Sequence, residues 1–435
     1  MHEARRVNYQ PVVDRFPVPI PLDPIAAGIF AIAFVLVAIA TARRPSYGLA
    51  ALLFAQPFAW YHYVFGTTIT FPKVILIGVI AGLSGTPNIA RILREKHLAA
   101  IAWPLAAIAV AMGLSVLQAH DRAAVLREVL KAVEYLVLAV TAYVLYRMDG
   151  NDDLLKNTFA ASAIIVAISA LAEELLGAPS GLWMHEHPVP RIAGFLEGPN
   201  QLAGYLEIVT ATLGAWNIRK RTLSTDVALL LAGCSLILTF SRGGIAGTAA
   251  VAIVLVLIAG RAALRALLPL GIGVICGGIG AEVWAFLTQS DNVFRFTSTQ
   301  SDYAGGVGNR AELWRAALHF FRASPITGIG AGNYELALNR AGLYGVRTHA
   351  NSWYLQSLAE GGIVLFAAVV TFLASALRTL WSGVRSNPWT LAAFAATAAL
   401  ALHQIVDYLI FYPKVGGPWI LAIAIGVAAL APRKQ

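Results

Sequence analysis

Along the 435-residue chain, apolar runs of membrane length alternate with short polar connections. By residue number the runs are 22–41, 47–64, 71–84, 98–117, 125–146, 158–172, 202–216, 227–240, 245–259, 267–287, 353–376, 391–410 and 419–431. A helix rises about 1.5 Å per residue, so roughly 20 apolar residues cross a hydrocarbon layer of about 30 Å. The pattern predicts an all-α polytopic membrane protein of about 12 or 13 spans. The two runs between 47 and 84 fit this least well, and one of them reads equally as a re-entrant or interfacial segment. The first run follows about twenty polar and proline-containing residues and has no convincing cleavage site, so it reads as a span rather than a signal peptide.

Two polar connections are long, 177–201 and 288–351. In the second, Asn309 is placed to cap a helix that begins at Arg310. Leu313, Trp314, Ala317, Leu318 and Phe321 then share one face, and Arg315, His319 and Arg322 the other. This amphipathic helix ends at Ser324-Pro325 and is expected to lie on the membrane surface or over a cavity. A glycine-rich turn follows, TGIGAGNY, from Thr327 to Tyr334. No internal repeat is present, and residues 1–435 read as one membrane domain with an outer helical cap at 288–351.

Composition supports this picture: 58% of residues are hydrophobic and 13% charged, with a mean hydropathy of +0.68. Soluble domains carry about 25% charged residues. The net charge of +9 comes largely from short loops between apolar runs, which argues against nucleic-acid binding. Arg91, Arg94, Lys96; Arg219, Lys220, Arg221; Arg261, Arg265; Arg378, Arg385; and Arg433, Lys434 share one side if the spans alternate. The positive-inside rule makes that side cytoplasmic and the two long connections outer. Arg5, Arg6 and Arg15 favour an inner N-terminus, whereas an odd span count puts it outside. Cys234 and Cys276 lie in apolar runs, which fits neither a disulfide nor a metal site.

The candidate chemistry sits on the outer side. Arg191 lies in a Pro- and Gly-rich loop leading to Asn200. Arg310, Arg315 and Arg322 lie on the amphipathic helix. Arg347, His349 and Asn351 precede the 353–376 run, and Arg242 marks the turn TFSRGG. Arginine stays charged at any working pH and grips phosphate through a planar fork. The N–H groups of a glycine-rich turn, around Gly328 and Gly330, can add donors to an anion. Histidine supplies a proton acceptor. The set suits a phosphate or diphosphate leaving group and a hydroxyl nucleophile.

Each residue also has a plain structural role open to it. Arg191 can snorkel, Arg242 can terminate a span, and His349 can cap the helix beginning near Ser352. His319 reads as solvated. Glu207 lies inside a span, and His403 and Asp407 are spaced i, i+4. Glu207 suits a bond to a neighbouring helix, His403 and Asp407 suit a self-satisfied structural pair, and the three together suit a polar path. A polar path is the basis of a different reading, a transporter or flippase. That reading predicts matching broken helices in two halves, and the sequence has no such symmetry. His185 and His187 in MHEHP give a weak metal signal.

Four stretches in order resemble the O-antigen ligase family, which includes the Wzy-type O-antigen polymerases: RIAGFLEGPNQLAGYL, TFSRGG, NRAELWRAALHFFRASPITGIGAGNY and HANSWYLQSLAEGGI. They span residues 191–363. Many members place a histidine directly before the asparagine. This chain has Ala350 there, which leaves the catalytic role to His349.

The resemblance implies a glycosyltransferase at the periplasmic face of the bacterial inner membrane. Its donor would be an undecaprenyl diphosphate-linked glycan. A ligase passes the glycan to a sugar hydroxyl of lipid A-core, and a polymerase passes it to another lipid-linked repeat. No cofactor, nucleotide sugar or metal is implied. On this reading His349 is the general base, and Arg191 and Arg310 hold the diphosphate. Arg242, Arg315, Arg347, Asn200, Asn351, Gly328 and Gly330 are secondary candidates.

Overall fold

A computed structural model describes residues 20–21, 23–58, 61–64, 67–87, 89–176, 191–288 and 307–431. Every apolar run contains a helix. Among the described residues, six helices are long and apolar enough to cross a membrane: Pro24–Arg43, Lys96–Gln118, Arg122–Asp149, Asp152–Glu173, Arg242–Ala259 and Trp353–Trp381. Shorter apolar helices include Phe71–Leu83, Leu223–Leu238, Pro388–His403 and Pro413–Ala428. Local chemistry starts them. Pro24, Pro199, Pro388 and Pro413 stand in a first turn, where a missing N–H costs nothing. Asp23, Asp121, Ser241 and Asn387 cap free N–H groups with their side chains.

The run 47–64 departs from the helical expectation. Its helix, Pro45–Ala55, stops after 11 residues, or roughly 16 Å at 1.5 Å per residue. A tight turn, Gln56–Phe58, follows. Pro57 has no N–H and crowds the preceding turn, so the helix cannot run on. Tyr61–Val64 and Thr67–Thr70, rich in aromatic and β-branched residues, pair antiparallel, and Ile20–Pro21 joins parallel to the former. The all-α description therefore holds for the apolar helices, with this three-stranded sheet as the exception.

The basic loops meet at one end of the bundle. Arg147 Nε lies 3.0 Å from Glu95 Oε2, and Arg147 Nη1 donates to the Ala431 carbonyl at 3.1 Å. Arg219 Nη2 donates to the Arg385 and Ser386 carbonyls at 2.9 and 2.8 Å. The Pro199–Arg219 helix is buried from Gln201 to Asn217, among Pro388–His403, Arg242–Ala259 and Leu223–Leu238. Facing protein rather than lipid, it can carry Glu207. Pro24–Arg43, in contrast, exposes Ile25, Ile29, Ile32 and Leu36, as a lipid-facing helix would.

At the opposite end, the Val307–Ala323 helix buries Leu313, Ala316, Ala317 and Phe320 against Tyr334, Ala337, Leu338, Ala350 and Ala359. Tyr334 Oη donates to the Leu313 carbonyl at 2.6 Å. The buried stripe is rotated from the expected one: Trp314, Leu318 and Phe321 are only half-buried. The large apolar residues suggested that stripe, but the helix packs on the following turns and the Trp353–Trp381 helix, where small residues fit. Arg315, His319 and Arg322 are exposed, as expected.

The Trp353–Trp381 helix breaks at Gly362 (φ 61°, ψ −158°). A break frees backbone groups, which a low-dielectric setting requires to be paired. The segment after Pro325 pairs them. Ile363 and Val364 donate to the Pro325 and Ile326 carbonyls at 2.9 and 3.4 Å, and Ile329 and Gly330 donate to the Ala359 and Glu360 carbonyls at 2.9 Å each. A Cβ on Gly362 would stand 2.3 Å from the Ile326 carbonyl oxygen, and one on Gly328 would stand 2.2 Å from the Glu360 carbonyl carbon. Gly328 also has a φ of +65°. Gly362→Ala and Gly328→Ala are each expected to cost at least about 1–3 kcal/mol from the backbone alone. A lowered unfolding temperature in detergent checks this; unchanged melting in both variants would refute the account of the break.

Candidate functional site

The loop entering the Pro199–Arg219 helix is fixed by Glu173, whose Oε2 accepts from the Ala193 and Gly194 N–H groups at 2.9 and 2.7 Å. That bond places Arg191. Its Nε donates to the Thr239 carbonyl at 2.7 Å and its Nη2 to Asn200 Oδ1 at 2.9 Å. Asn200 Nδ2 donates to Asp407 Oδ2 at 2.8 Å. Arg310 Nη2 stands 3.9 Å from that same oxygen, and Arg310 Nε is buried with no hydrogen-bond partner. Asp407 Oδ1 accepts from the Tyr408 N–H at 2.8 Å. Arg191 and Arg310, 119 positions apart, are thus joined through Asn200 and Asp407. Beside this chain, Phe240 has a φ of 48°, a strained conformation for a bulky residue.

His349 is held from several directions. The Ala350 N–H donates to Gln356 Oε1 at 2.7 Å. Asn351 takes a φ of 48°, which asparagine tolerates. The Trp353 N–H donates to the Gln404 and Asp407 carbonyls at 3.0 Å each, tying the helix start to the Asp407 segment. The imidazole lies 4.0 Å from the Phe411 ring and 5.2 Å from the Tyr408 ring, centroid to centroid. Its Nδ1 is 2.9 Å from Glu335 Oε1, within ion-pair range though not aligned as a hydrogen bond. Burial, and then the charge of Glu128, raises the Tyr408 phenol well above its ordinary range, so it remains protonated. A cavity of about 180 Å³ opens here, lined by His349, Glu128, Glu335, Gln356, Tyr408 and Phe411 among others.

Not every sequence candidate reaches this place. Arg242, Arg315 and Arg347 are exposed. The N–H groups from Gly328 to Ala331 are taken up within the protein, and the Tyr334 N–H at the end of the turn donates to Glu360 Oε1 at 3.1 Å. Gly328 donates to the Ser324 carbonyl, Ile329 and Gly330 to the broken helix, and Ala331 to Ser115 Oγ. Gly328 and Gly330 serve close backbone approach instead. The i, i+4 relation of His403 and Asp407 also fails, because the helix ends at His403. His403 Nδ1 instead contacts Glu207 Oε1, and both side chains are buried. His185 and His187 lie outside the described residues.

Glu173, Glu335, Glu128 and Lys131 stand in none of the motifs the sequence offers, and Asp407 meets Asn200 and Arg310 rather than pairing with His403 or lining a polar path. The acids that meet the arginines and His349 are distant from them in sequence. Glu335 had a faint signal, being the acid that closes the glycine-rich turn. Asp407 had one too, as the first acid after its apolar helix.

A comparison with curated proteins finds no match. Residues 227–370 match the family model described as O-Antigen ligase. The matched stretch holds Arg242, Arg310, Glu335, His349 and Glu360, while Arg191, Asn200 and Asp407 lie outside it. The match falls on the Ser-Arg turn, the Arg310 helix and the His349 motif, so over residues 227–370 the chain is similar to the O-antigen ligase family.

Proposed function

We propose that the protein transfers a glycan from undecaprenyl diphosphate to a sugar hydroxyl of lipid A-core. The observation that carries this reading is the convergence of Arg191 and Arg310 on Asn200 and Asp407, with a buried Arg310 Nε left without a partner. A buried guanidinium N–H without an acceptor is costly, and an anion's oxygen would satisfy it.

In the step, the acceptor oxygen bonds to the anomeric carbon while the bond from that carbon to phosphate breaks. The acceptor proton goes to His349, and undecaprenyl diphosphate leaves with its charge held by Arg191 and Arg310. Nδ1 faces Glu335, so Nε2 is the nitrogen that takes the proton. The Glu335 carboxylate fixes the ring and stabilises the imidazolium. A polymerase would use the same groups with another lipid-linked repeat as acceptor. The chemistry needs no metal, so transfer from a synthetic polyprenyl-diphosphate glycan should survive excess chelator. Loss with chelator and recovery with a divalent ion would overturn the mechanism.

The site belongs at the periplasmic face of the inner membrane, with the basic loops in the cytoplasm. The gathering of those loops at the end away from Arg191 and His349 supports this orientation. Single cysteines at Arg315 and Arg219, both exposed, test it. In intact spheroplasts an impermeant thiol reagent is expected to label position 315 and spare 219. The reverse would place the arginines in the cytoplasm and remove the proposed reaction.

A further inference from the structure

The cavity beside His349 differs in charge from the arginine side. Its lining includes Asp121, Glu128 and Glu335 against one permanent cation, Arg127, and both Arg127 and the adjacent Lys131 already face carboxylates. Lys131 Nζ is 2.8 Å from Glu128 Oε1 and sits 3.6 Å over the Phe411 ring. Arg127 Nη2 is 3.6 Å from Asp121 Oδ2, and its side chain is 65% exposed. His349 itself is 8% exposed, and its Nδ1 has no aligned hydrogen-bond partner. The volume of about 180 Å³ matches about six waters at roughly 30 Å³ each, room for one pyranose-sized ring.

We propose that this cavity is the acceptor subsite and that it selects an uncharged or amino-bearing sugar over a phosphorylated or uronic one; the proposal rests on the transfer reading above. Carboxylate oxygens accept hydrogen bonds from sugar hydroxyls and attract an ammonium group. A phosphate or carboxylate on the acceptor would meet like charges at short range, with the nearby cations already engaged. The two subsites meet along one peptide: Asp407 belongs to the arginine side, and Tyr408 lines the cavity. Opposite charge on the two sides keeps the anionic donor out of the acceptor position and sets which substrate lies where.

The test is calorimetric binding of short-chain alkyl glycosides of glucose, glucosamine and glucose 6-phosphate to the full chain in nanodiscs, with transfer assayed in parallel. The neutral and amino sugars are expected to bind at least about tenfold tighter than the phosphorylated one. Glu335→Gln should narrow that ratio, and Glu128→Gln provides a second variant if the first does not fold. Equal or tighter binding of the phosphorylated sugar, absence of saturation by all three, or an unchanged ratio in both variants overturns the subsite. Charge-selective binding without transfer would keep the subsite and remove the glycan-transfer reading. Transfer without charge selection would do the opposite.

Discussion

Replacing His349 by alanine is expected to slow glycan transfer by about 10²–10⁴-fold, the usual effect of losing a general base. Donor binding should persist, because the residues proposed to hold the diphosphate lie on the other side of the Asp407–Tyr408 peptide. The ring is oriented by Phe411, Tyr408 and Glu335 and anchored through the Ala350–Gln356 bond. Such support is what a base acting in one geometry requires. His319→Ala is the control. Its ring is exposed and lies at 5.6 Å from Phe320, so activity should stay near native. Single-turnover transfer from a synthetic polyprenyl-diphosphate glycan is the measurement. Full activity in His349→Ala would reduce the histidine to a residue that starts a helix.

Arg310→Ala is expected to lower transfer by about 10²–10³-fold, as for loss of one donor to developing negative charge. Arg310→Lys should also be poor, since an ammonium cannot supply the planar fork. Its fold should survive, because Asp407 keeps Asn200 and the Tyr408 N–H as partners. Arg191→Ala should be equally inactive but less stable. It strips donors from the Thr239 carbonyl and Asn200 Oδ1, at about 1–3 kcal/mol for a buried acceptor left unsatisfied. Size-exclusion profiles and unfolding temperatures separate the two effects. Near-native transfer in both Arg310→Lys and Arg191→Lys would show that neither arginine holds the diphosphate.

Period and residue type alone determined the helical membrane architecture, the basic loops along the chain, and Arg191, Arg310 and His349 as candidates. An apolar run long enough to span, a cap before a helix and a proline in a first turn act within a few residues, so they can be read without knowing the fold. The same local logic missed the sheet, where Pro57 and the β-branched strands outweighed an apolar run that looked helical.

Only the tertiary structure decided which charges meet. Asn200 and Asp407 are 207 positions apart, and their bond joins Arg191 to Arg310. Glu335 becomes the neighbour of His349 through a turn whose glycines were read as anion donors. Those glycines instead serve the break at Gly362, whose free backbone groups had to be paired inside the protein. Glu207 took His403 because two helices cross there and the His403 helix ends before Asp407. The reason is common to all four cases: pairing of buried charges and backbone groups is enforced by low dielectric over a few ångströms of space, and distance along the chain does not enter.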